Sequence, residues 1–313
     1  MDYTILGRTG LAVSVMGLGC GGHSRLGLAT GHTQAEAIAV VQKALDLGVN
    51  FLDTAESYGT ETVVGQALAG KRREAVVLST KVSPRREGAL ATAAEIKERA
   101  EACLQRLRTD YVDVLHLHGV AADDYAYALS ELLPALQELR TAGKVRFLGI
   151  TEAFASDPSH RMLNRALDDA CWDVIMAGFN LINQSARERL FVRTQQNNIG
   201  VLCMFAVRRA LSRPEALRAL MGDLAAQGLV EVGTYDPEDP LGFLVRDGSA
   251  ASLPDAAYRF CRHEPGIHVV LSGTGSLEHL EANAASLTRP PLPPGHIEKL
   301  RRLFRRVDSV SGN

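Results

Sequence analysis

A (β/α)8 TIM barrel is the fold class that the sequence predicts, and three observations predict it. Eight short, mostly continuous apolar segments follow one another along the chain. Helical patterns separate them, as expected for parallel strands whose outer sides are covered. Eight such units favour a closed barrel over an open doubly wound sheet. The predicted strands are residues 15–18, 51–53, 76–80, 111–117, 145–150, 174–177, 200–204 and 268–271.

The elements around these strands follow from local patterns. Residues 3–6 and 12–13 flank the turn Gly7-Arg8-Thr9-Gly10, which predicts an N-terminal β-hairpin. Two pairs have the spacing of capping boxes and predict helix starts, Thr33 with Glu36 and Thr92 with Glu95. Further helices are predicted from residue 61 and from Ser276, across 129–139, 160–169, 186–196, 214–226 and 253–262, and in an extra C-terminal amphipathic segment.

No change in composition marks a second domain, so we expect residues 1–313 to form a single domain. The longest irregular segment is 228–251, which is either a lid over the site or a plain surface excursion. The sequence leaves the oligomeric state open.

Composition argues against several kinds of partner. Lys and Arg total 34 against 36 Asp and Glu, and no basic block indicates nucleic acid. No apolar run has transmembrane length, and no signal-peptide pattern is present, so we expect a cytoplasmic protein without a membrane partner. The five cysteines are widely spaced, which predicts buried free thiols in a reducing compartment.

Four ionisable side chains stand at successive strand ends. Asp53 ends the second predicted strand, Tyr58 follows five residues later, Lys81 ends the third, and His118 ends the fourth. The carboxyl ends of the strands meet at one end of a barrel, where the active site lies. We therefore expect these four side chains to lie close together.

These residue types fit the chemistry of carbonyl reduction, which needs a hydride on carbon and a proton on oxygen. A free tyrosine, with a pKa of ~10, is a weak acid at neutral pH, and a nearby ammonium lowers that pKa. Lys81 can supply the ammonium, Asp53 can orient Lys81, and His118 can donate a hydrogen bond that places the carbonyl oxygen near Tyr58.

Each residue also has a structural interpretation. Tyr58 could be a packing residue, and Asp53 with Lys81 an ion pair that seals the barrel. His116 shares a strand face with His118 one layer deeper, and we interpret it as a core histidine. The convergence of four groups favours catalysis. No residues have the spacing of metal ligands, so we expect no metal.

With these motifs in place, the sequence resembles the aldo-keto reductase family over essentially its whole length. The resemblance implies a carbonyl reductase with NADP (or NAD) as cofactor, a small-molecule carbonyl substrate, and Asp53, Tyr58, Lys81 and His118 as the catalytic tetrad. It rests on Asp53-Thr-Ala to Tyr58-Gly59, Ser79-Thr80-Lys81, and residues 111–118, 143–151 and 273–283.

The resemblance also implies a cofactor site. The loop after the eighth strand opens a helix, where free N–H groups favour an anion, and the family binds the adenosine phosphate end there. Phe205 stands where the family usually stacks a tyrosine on nicotinamide. Arg208 and Arg209 can meet pyrophosphate or an anionic substrate, or be surface arginines. The full predicted set is Thr151, Glu152, Phe205, Arg208, Arg209, Gly273, Thr274, Gly275, Ser276, His279 and Asn283.

Some positions depart from the family pattern. Where the family commonly holds the carboxamide with Ser-Asn and Gln, this chain has Thr151-Glu152 and Met176, with Asn180 or Asn183 as possible substitutes. Gly275 and His279 stand where NADPH-specific members often carry Lys or Arg for the 2′-phosphate, which leaves NADP against NAD open.

The predicted function is NAD(P)H-dependent reduction of an aldehyde or ketone with a proton from Tyr58. One alternative is an NAD-dependent sugar or alcohol dehydrogenase, and another is a nucleotide-binding regulatory subunit with vestigial chemistry. A cofactor-free isomerase or lyase has only Glu152 in its favour. The loops 26–30, 119–127 and 228–251 mix apolar and acidic residues and leave the substrate open.

Overall fold

The computed structural model describes residues 1–313, and eight parallel strands in it close into a barrel. Each strand pairs with the next along the chain, and the eighth pairs with the first. The predicted (β/α)8 barrel is therefore confirmed. The barrel strands are Met16–Gly19, Phe51–Asp53, Val77–Val82, Val112–Val120, Val145–Glu152, Val174–Gly178, Gly200–Met204 and Val269–Ser272.

Several strands run beyond their predicted ends, and the third, fourth and fifth do so by two or three residues. The third continues to Val82 and the fourth to Val120, so Lys81 and His118 lie inside strands rather than after them. Pairing of Lys81 with His116 continues the ladder of the third strand past Thr80, and pairing of Val120 with Glu152 carries the fourth strand to its end. Lys81 and His118 thereby gain rigid backbone positions at the mouth of the barrel.

Helices lie between the strands, and their starts follow the caps expected from sequence. Both predicted capping boxes form, at Thr33 with Glu36 and at Thr92 with Glu95. The helix predicted at 160–169 spans only Arg161–Ala166, and it starts one residue late because His160, with φ 62°, lies before its first turn in a left-handed conformation. The α-helices are Gln34–Asp46, Glu61–Ala67, Ala93–Leu107, Tyr125–Tyr127, Leu133–Thr141, Arg161–Ala166, Val192–Gln196, Arg209–Ser212, Pro214–Ala226, Phe243–Arg246, Leu253–Arg262, Leu277–Thr288 and Pro294–Phe304.

Short elements complete the chain. The predicted hairpin is present as antiparallel strands Tyr3–Ile5 and Ala12–Ser14, and a second ribbon joins Arg85–Arg86 to Ala89–Leu90. Single 3-10 or π turns occur at Gly7–Thr9, Arg25–Thr30, Glu56–Tyr58, Arg73–Ala75, Ala122–Asp124, Ala128–Leu132 and Arg187–Phe191. No helix is both long enough and apolar enough to span a membrane.

The N-terminal hairpin closes the end of the barrel opposite the strand carboxyl ends. Leu6, Leu11 and Val13 pack in one buried cluster with interior side chains such as Phe51 and Val114. This apolar plug fills the lower barrel, because side chains two residues apart along each strand point inward together. The polar side chains of the barrel interior therefore lie in the layers nearer the carboxyl ends of the strands.

Candidate active site

A buried ion pair forms the floor of the site. Lys81 Nζ donates to Asp53 Oδ2 and to the carbonyl oxygen of Thr54, each at 2.6 Å. Ser79 Oγ donates to the other Asp53 oxygen at 2.9 Å. Burial raises the pKa of Asp53, and Lys81 offsets part of that rise. Burial opposes the charge of Lys81, yet Asp53 and Tyr58 raise its pKa overall, so the ammonium stays charged.

Tyr58 stands directly above this pair. It ends the turn Glu56–Tyr58, and Lys81 Nζ lies 5.0 Å from the centroid of its ring. The backbone at Gly21 packs against the ring, since a Cβ there would lie 2.4 Å from Tyr58 Cε2. Burial raises the pKa of Tyr58, and Lys81 lowers it less than burial raises it. The sequence-based expectation of a lowered pKa omitted this desolvation.

His118 meets the tyrosine from the fourth strand. Tyr58 Oη and His118 Nε2 are 3.3 Å apart, and the two rings meet edge to face. Burial and the charge of Lys81 lower the pKa of His118 to about 3, so the imidazole is neutral at physiological pH. His116 lies below, fully buried, and neither ring nitrogen has a hydrogen-bond partner. The structure thus brings the four predicted catalytic residues together.

The predicted carboxamide residues are engaged elsewhere. Thr151 Oγ1 accepts the N–H of Gly119 at 2.6 Å. Glu152 is buried, and its Oε1 accepts the N–H of Gly178 at 2.8 Å and lies 2.9 Å from His160 Nδ1. Met176 packs in the apolar cluster of the lower barrel. Neither Glu152 nor Met176 directs a free polar group towards Tyr58.

Asn180 and Asn183, the predicted substitutes, hold the C-terminal tail. Asn180 Nδ2 donates to the carbonyl oxygens of Phe205 and Ser311, at 3.2 and 3.1 Å. Asn183 Nδ2 donates to the carbonyl oxygens of Pro158 and Val310, each at 2.9 Å. This tail and His160 are parts of the site region that sequence reasoning missed, and no local pattern signals them.

The loop after the eighth strand has the features of an anion site. Ser276 Oγ caps the helix Leu277–Thr288 by accepting the N–H of His279. The N–H groups of Gly275, Leu277 and Glu278 have no acceptor in the protein. Asn283 Nδ2 donates to Ser272 Oγ at 2.9 Å, which leaves its carbonyl oxygen available. Free N–H groups at a helix start fit a phosphate.

Two glycines let this loop approach the first barrel strand and the loop that follows it. A Cβ on Gly273 would lie 2.7 Å from the carbonyl oxygen of Gly19. One on Gly275 would lie 2.4 Å from Gly27 Cα. A larger side chain at position 275 would therefore require the loop at Gly27 to move, which explains the absence of Lys or Arg there.

The loop after the seventh strand carries Phe205 and two arginines. Phe205 has φ 66°, and its ring meets Phe154 edge to face at 5.3 Å. Arg208 Cζ lies 4.1 Å from the centroid of Phe205, and its Nε donates to Asn313 Oδ1 at 2.6 Å. Arg209 begins a short helix and is exposed. Arg208 is therefore partly buried against Phe205, whereas Arg209 is exposed, a difference that the sequence alone does not indicate.

Two surface cavities lie away from this site. One of about 430 Å³ is lined by residues such as Gly65 and Leu107, and the other, of about 690 Å³, by the proline-rich segment that includes Leu292. Neither is lined by Asp53, Tyr58, Lys81 or His118. Both cavities therefore lie apart from the four predicted catalytic residues.

Comparisons with known proteins agree with this geometry. The model of the aldo/keto reductase family matches residues 16–304. The chain is 30% identical over 305 residues to L-galactose dehydrogenase from Arabidopsis thaliana, covering 92% of this chain and 88% of that protein. It is 28% identical to the aldo-keto reductase YhdN from Bacillus subtilis, covering 90% and 87%.

Solved structures show the same fold. The holo form of aldo-keto reductase AKR11C1 from Bacillus halodurans superposes with a TM-score of 0.73 at 25% identity, covering 99% of this chain and 98% of that one. An aldo-keto reductase from Klebsiella pneumoniae, solved in complex with NADP and acetate, gives 0.69 at 23% identity with the same coverage. The chain therefore belongs to the aldo/keto reductase family of NAD(P)-dependent oxidoreductases.

Proposed function

We propose that the protein reduces an aldehyde or ketone with NADPH, and that Tyr58 donates the proton. The observation that carries this proposal is the convergence of Asp53, Lys81, His118 and Tyr58 at the barrel mouth, with Tyr58 3.3 Å from a neutral histidine. Tyrosine is the only one of the four that is both protonated at neutral pH and placed at the top of the group.

NADPH, when bound, supplies the hydride. The Tyr58 hydroxyl donates its proton to the carbonyl oxygen as negative charge develops there. Lys81 stabilises the phenolate that remains, and Asp53 keeps the ammonium charged and oriented. The neutral His118 donates through Nε2, in the tautomer this role requires, and fixes the carbonyl oxygen beside Tyr58.

Cofactor binding is proposed for the loop after the eighth strand. Its free N–H groups at Gly275, Leu277 and Glu278 suit the phosphates, and Asn283 suits adenine. NADP(H) is favoured because structures of the Klebsiella pneumoniae relative contain it. His279, in the first turn of the helix Leu277–Thr288, is the side chain proposed to meet the 2′-phosphate, and NAD is the competing cofactor.

A second candidate is the reverse reaction, oxidation of a sugar or alcohol with NAD. The relative named L-galactose dehydrogenase favours it, at 30% identity over 305 residues. The same Tyr58 would then act as a base. The ratio of kcat/KM for alcohol oxidation to that for carbonyl reduction, measured with both cofactors, decides between the directions.

We further propose a small-molecule carbonyl partner and a cytoplasmic location for a single domain. All five cysteines are unpaired and four are buried, which supports a reducing environment.

Binding and turnover together test the proposal. Fluorescence titration with NADPH and NADH should show binding, with NADPH the tighter, and the protein should reduce a panel of aldehydes. Binding without any turnover would instead favour a regulatory subunit. Failure of both cofactors to bind the folded protein would reject the oxidoreductase function altogether.

A further inference from the structure

Tyr58 lies in a short turn that has little support of its own. The turn Glu56–Tyr58 is three residues long, and no side chain caps its start. Ser57, in its middle, is exposed. A catalytic group must be held to within about 0.5 Å of its working position, because a misplacement of about 1 Å can cost a hundredfold in rate. The support for Tyr58 therefore has to come from the residues around the turn.

Glu56 ties this turn to the strand that carries Lys81. Its Oε1 accepts the backbone N–H of Ser83 at 2.8 Å. Glu56 precedes Tyr58 by two residues, and Ser83 follows Lys81 by two. One hydrogen bond therefore joins the two chain segments whose side chains meet, with Lys81 Nζ 5.0 Å from the centroid of the Tyr58 ring.

Arg99 fixes the carboxylate of Glu56 from the side of the third helix. It lies within the helix Ala93–Leu107, and its Nε donates to Glu56 Oε2 at 2.9 Å while its Nη2 donates to Glu56 Oε1. Both side chains are mostly buried, and the remaining nitrogen, Nη1, has no partner. All hydrogen bonds of the Arg99 side chain thus go to Glu56. Two parallel bonds of this kind fix the direction of a carboxylate as well as its distance.

A second carboxylate repeats this arrangement on the other side of Tyr58. Glu61 is fully buried, and it accepts the hydroxyl of Thr80 and, at 2.6 Å, the Nε of Arg106. Thr80 directly precedes Lys81, and Arg106 lies about two turns further along the same helix as the first arginine. The two carboxylates therefore flank Tyr58, and their partners on the third strand flank Lys81.

We propose that Glu56 and Arg99 are positioning residues, which hold the Tyr58 hydroxyl in place above Lys81 for proton transfer. This inference rests on the proposed role of Tyr58 as proton donor. Glu56 does not act on the substrate itself, because both of its oxygens are bonded to the protein. It is favoured over Glu61 for this role because it belongs to the turn, whereas Glu61 begins the next helix.

Kinetics of carbonyl reduction test this role. Glu56→Ala should lower kcat by about tenfold to hundredfold, because it releases the turn, and should leave KM for NADPH nearly unchanged. Arg99→Met keeps the bond from Ser83 and should lower kcat in the same way but by less. Glu56→Gln keeps one acceptor oxygen and the length of the side chain, so it should recover most of the kcat that Glu56→Ala loses.

Glu264→Ala is the matched control for lost stability. Glu264 pairs with Arg187 through the same two nitrogens, with Nε at 2.6 Å and Nη2 at 2.7 Å, and this pair is also mostly buried. Neither residue bonds to any of the four proposed catalytic side chains. The variant should lose stability in urea unfolding as Glu56→Ala does, and it should keep the wild-type kcat.

A measurement without turnover tests the position of the ring directly. In protein labelled with ¹³C in its tyrosine rings, the Tyr58 signal is identified by its loss in Tyr58→Phe. Glu56→Ala and Arg99→Met should shift or broaden that signal, because the ring leaves its edge-to-face contact with His118. The signal of Tyr235, whose hydroxyl bonds the Met221 carbonyl away from the tetrad, should stay in place.

The NMR result holds even if Tyr58 does not donate the proton, so failure of the proposed function and failure of this inference are distinguishable. Arg99→Met carries the test if Glu56→Ala does not fold.

Three results would overturn the inference. One is a kcat that Glu56→Ala and Arg99→Met leave unchanged in a protein that Tyr58→Phe inactivates. Another is an equal loss of kcat in Glu264→Ala, which would assign the effect to general stability. The last is a Tyr58 signal that neither Glu56→Ala nor Arg99→Met moves.

Discussion

The two halves of the barrel mouth use their polar side chains differently. At the second to fourth strands, Asp53, Lys81 and His118 contact one another or Tyr58 and face the centre. At the fifth and sixth strands, Glu152 holds His160 and a backbone N–H, and the asparagines after the sixth strand hold the C-terminal tail. We call the first the chemical half, because its side chains carry the proposed chemistry, and the second the supporting half.

The difference shows that a polar residue at a strand end is not a site residue by position alone. Thr151 and Gly149 share the inward face of the fifth strand, whereas Glu152 has the opposite parity and points between strands towards His160. Its hydrogen-bonding capacity is spent on the protein. A residue at a strand end is available to a ligand only when its side chain points into the barrel and also has a donor or acceptor that the protein does not already use.

The largest expected effect tests the chemical half. Tyr58→Phe removes the proton and keeps the ring, so kcat should fall by roughly 10²–10⁴-fold, the usual contribution of a general acid. NADPH binding should persist in fluorescence titration. Tyr127→Phe, whose hydroxyl bonds the Ala91 carbonyl away from the tetrad, is the matched control and should keep its kcat. Undiminished turnover in Tyr58→Phe would remove Tyr58 from the mechanism.

The next effect tests the supporting half. Glu152→Ala leaves His160 and the Gly178 N–H without their buried acceptor, so the free energy of unfolding in urea should fall by about 3 kcal/mol. Glu138→Ala breaks an exposed pair with Lys97 and should cost at most about 1 kcal/mol. If Glu152→Ala keeps its stability but weakens NADPH binding tenfold, the carboxylate faces the cofactor and the comparison fails.

The convergence of the four side chains of the chemical half can be predicted from the sequence because its signals are local. Asp53 and Tyr58 are five residues apart, and Lys81 and His118 each mark a strand by apolar neighbours. The supporting half depends on distant contacts: Asn183 reaches Val310 across 127 positions, and Asn180 reaches Ser311 across 131. No periodicity encodes such pairings. The left-handed His160 is equally unpredictable, since that conformation is uncommon for residues other than glycine.

A smaller effect concerns the layer beneath the chemical half. Burial and Lys81 lower the pKa of His116 well below its usual value, so the folded protein binds fewer protons than the unfolded chain below pH ~6.5. His116 therefore costs stability as pH falls from that value, by about 1.4 kcal/mol per pH unit while it stays neutral in the folded state.

His116→Leu should remove this part of the acid sensitivity in urea unfolding between pH 7 and about 5. His118, whose pKa is about 3, retains its own contribution in the variant. The exposed His23→Gln serves as the control and should follow the wild-type pH dependence. An unchanged slope in His116→Leu would mean that His116 binds a proton in the folded protein.

The smallest expected effect tests whether the loop after the eighth strand binds the cofactor phosphate through backbone N–H groups rather than through side chains. Ser276→Ala removes a helix cap but keeps the N–H groups of Leu277 and Glu278, so stability should fall by about 1 kcal/mol. NADPH affinity should fall by less than about fivefold, because the helix start still presents its N–H groups. Thr33→Ala, which removes the cap of another helix, should lose similar stability with no change in NADPH affinity. A tenfold or greater loss of NADPH affinity in Ser276→Ala, with none in Thr33→Ala, would show that the Ser276 hydroxyl itself binds the phosphate. Side chains outside the chemical half would then also bind ligand, and the contrast between the two halves of the barrel mouth would be smaller.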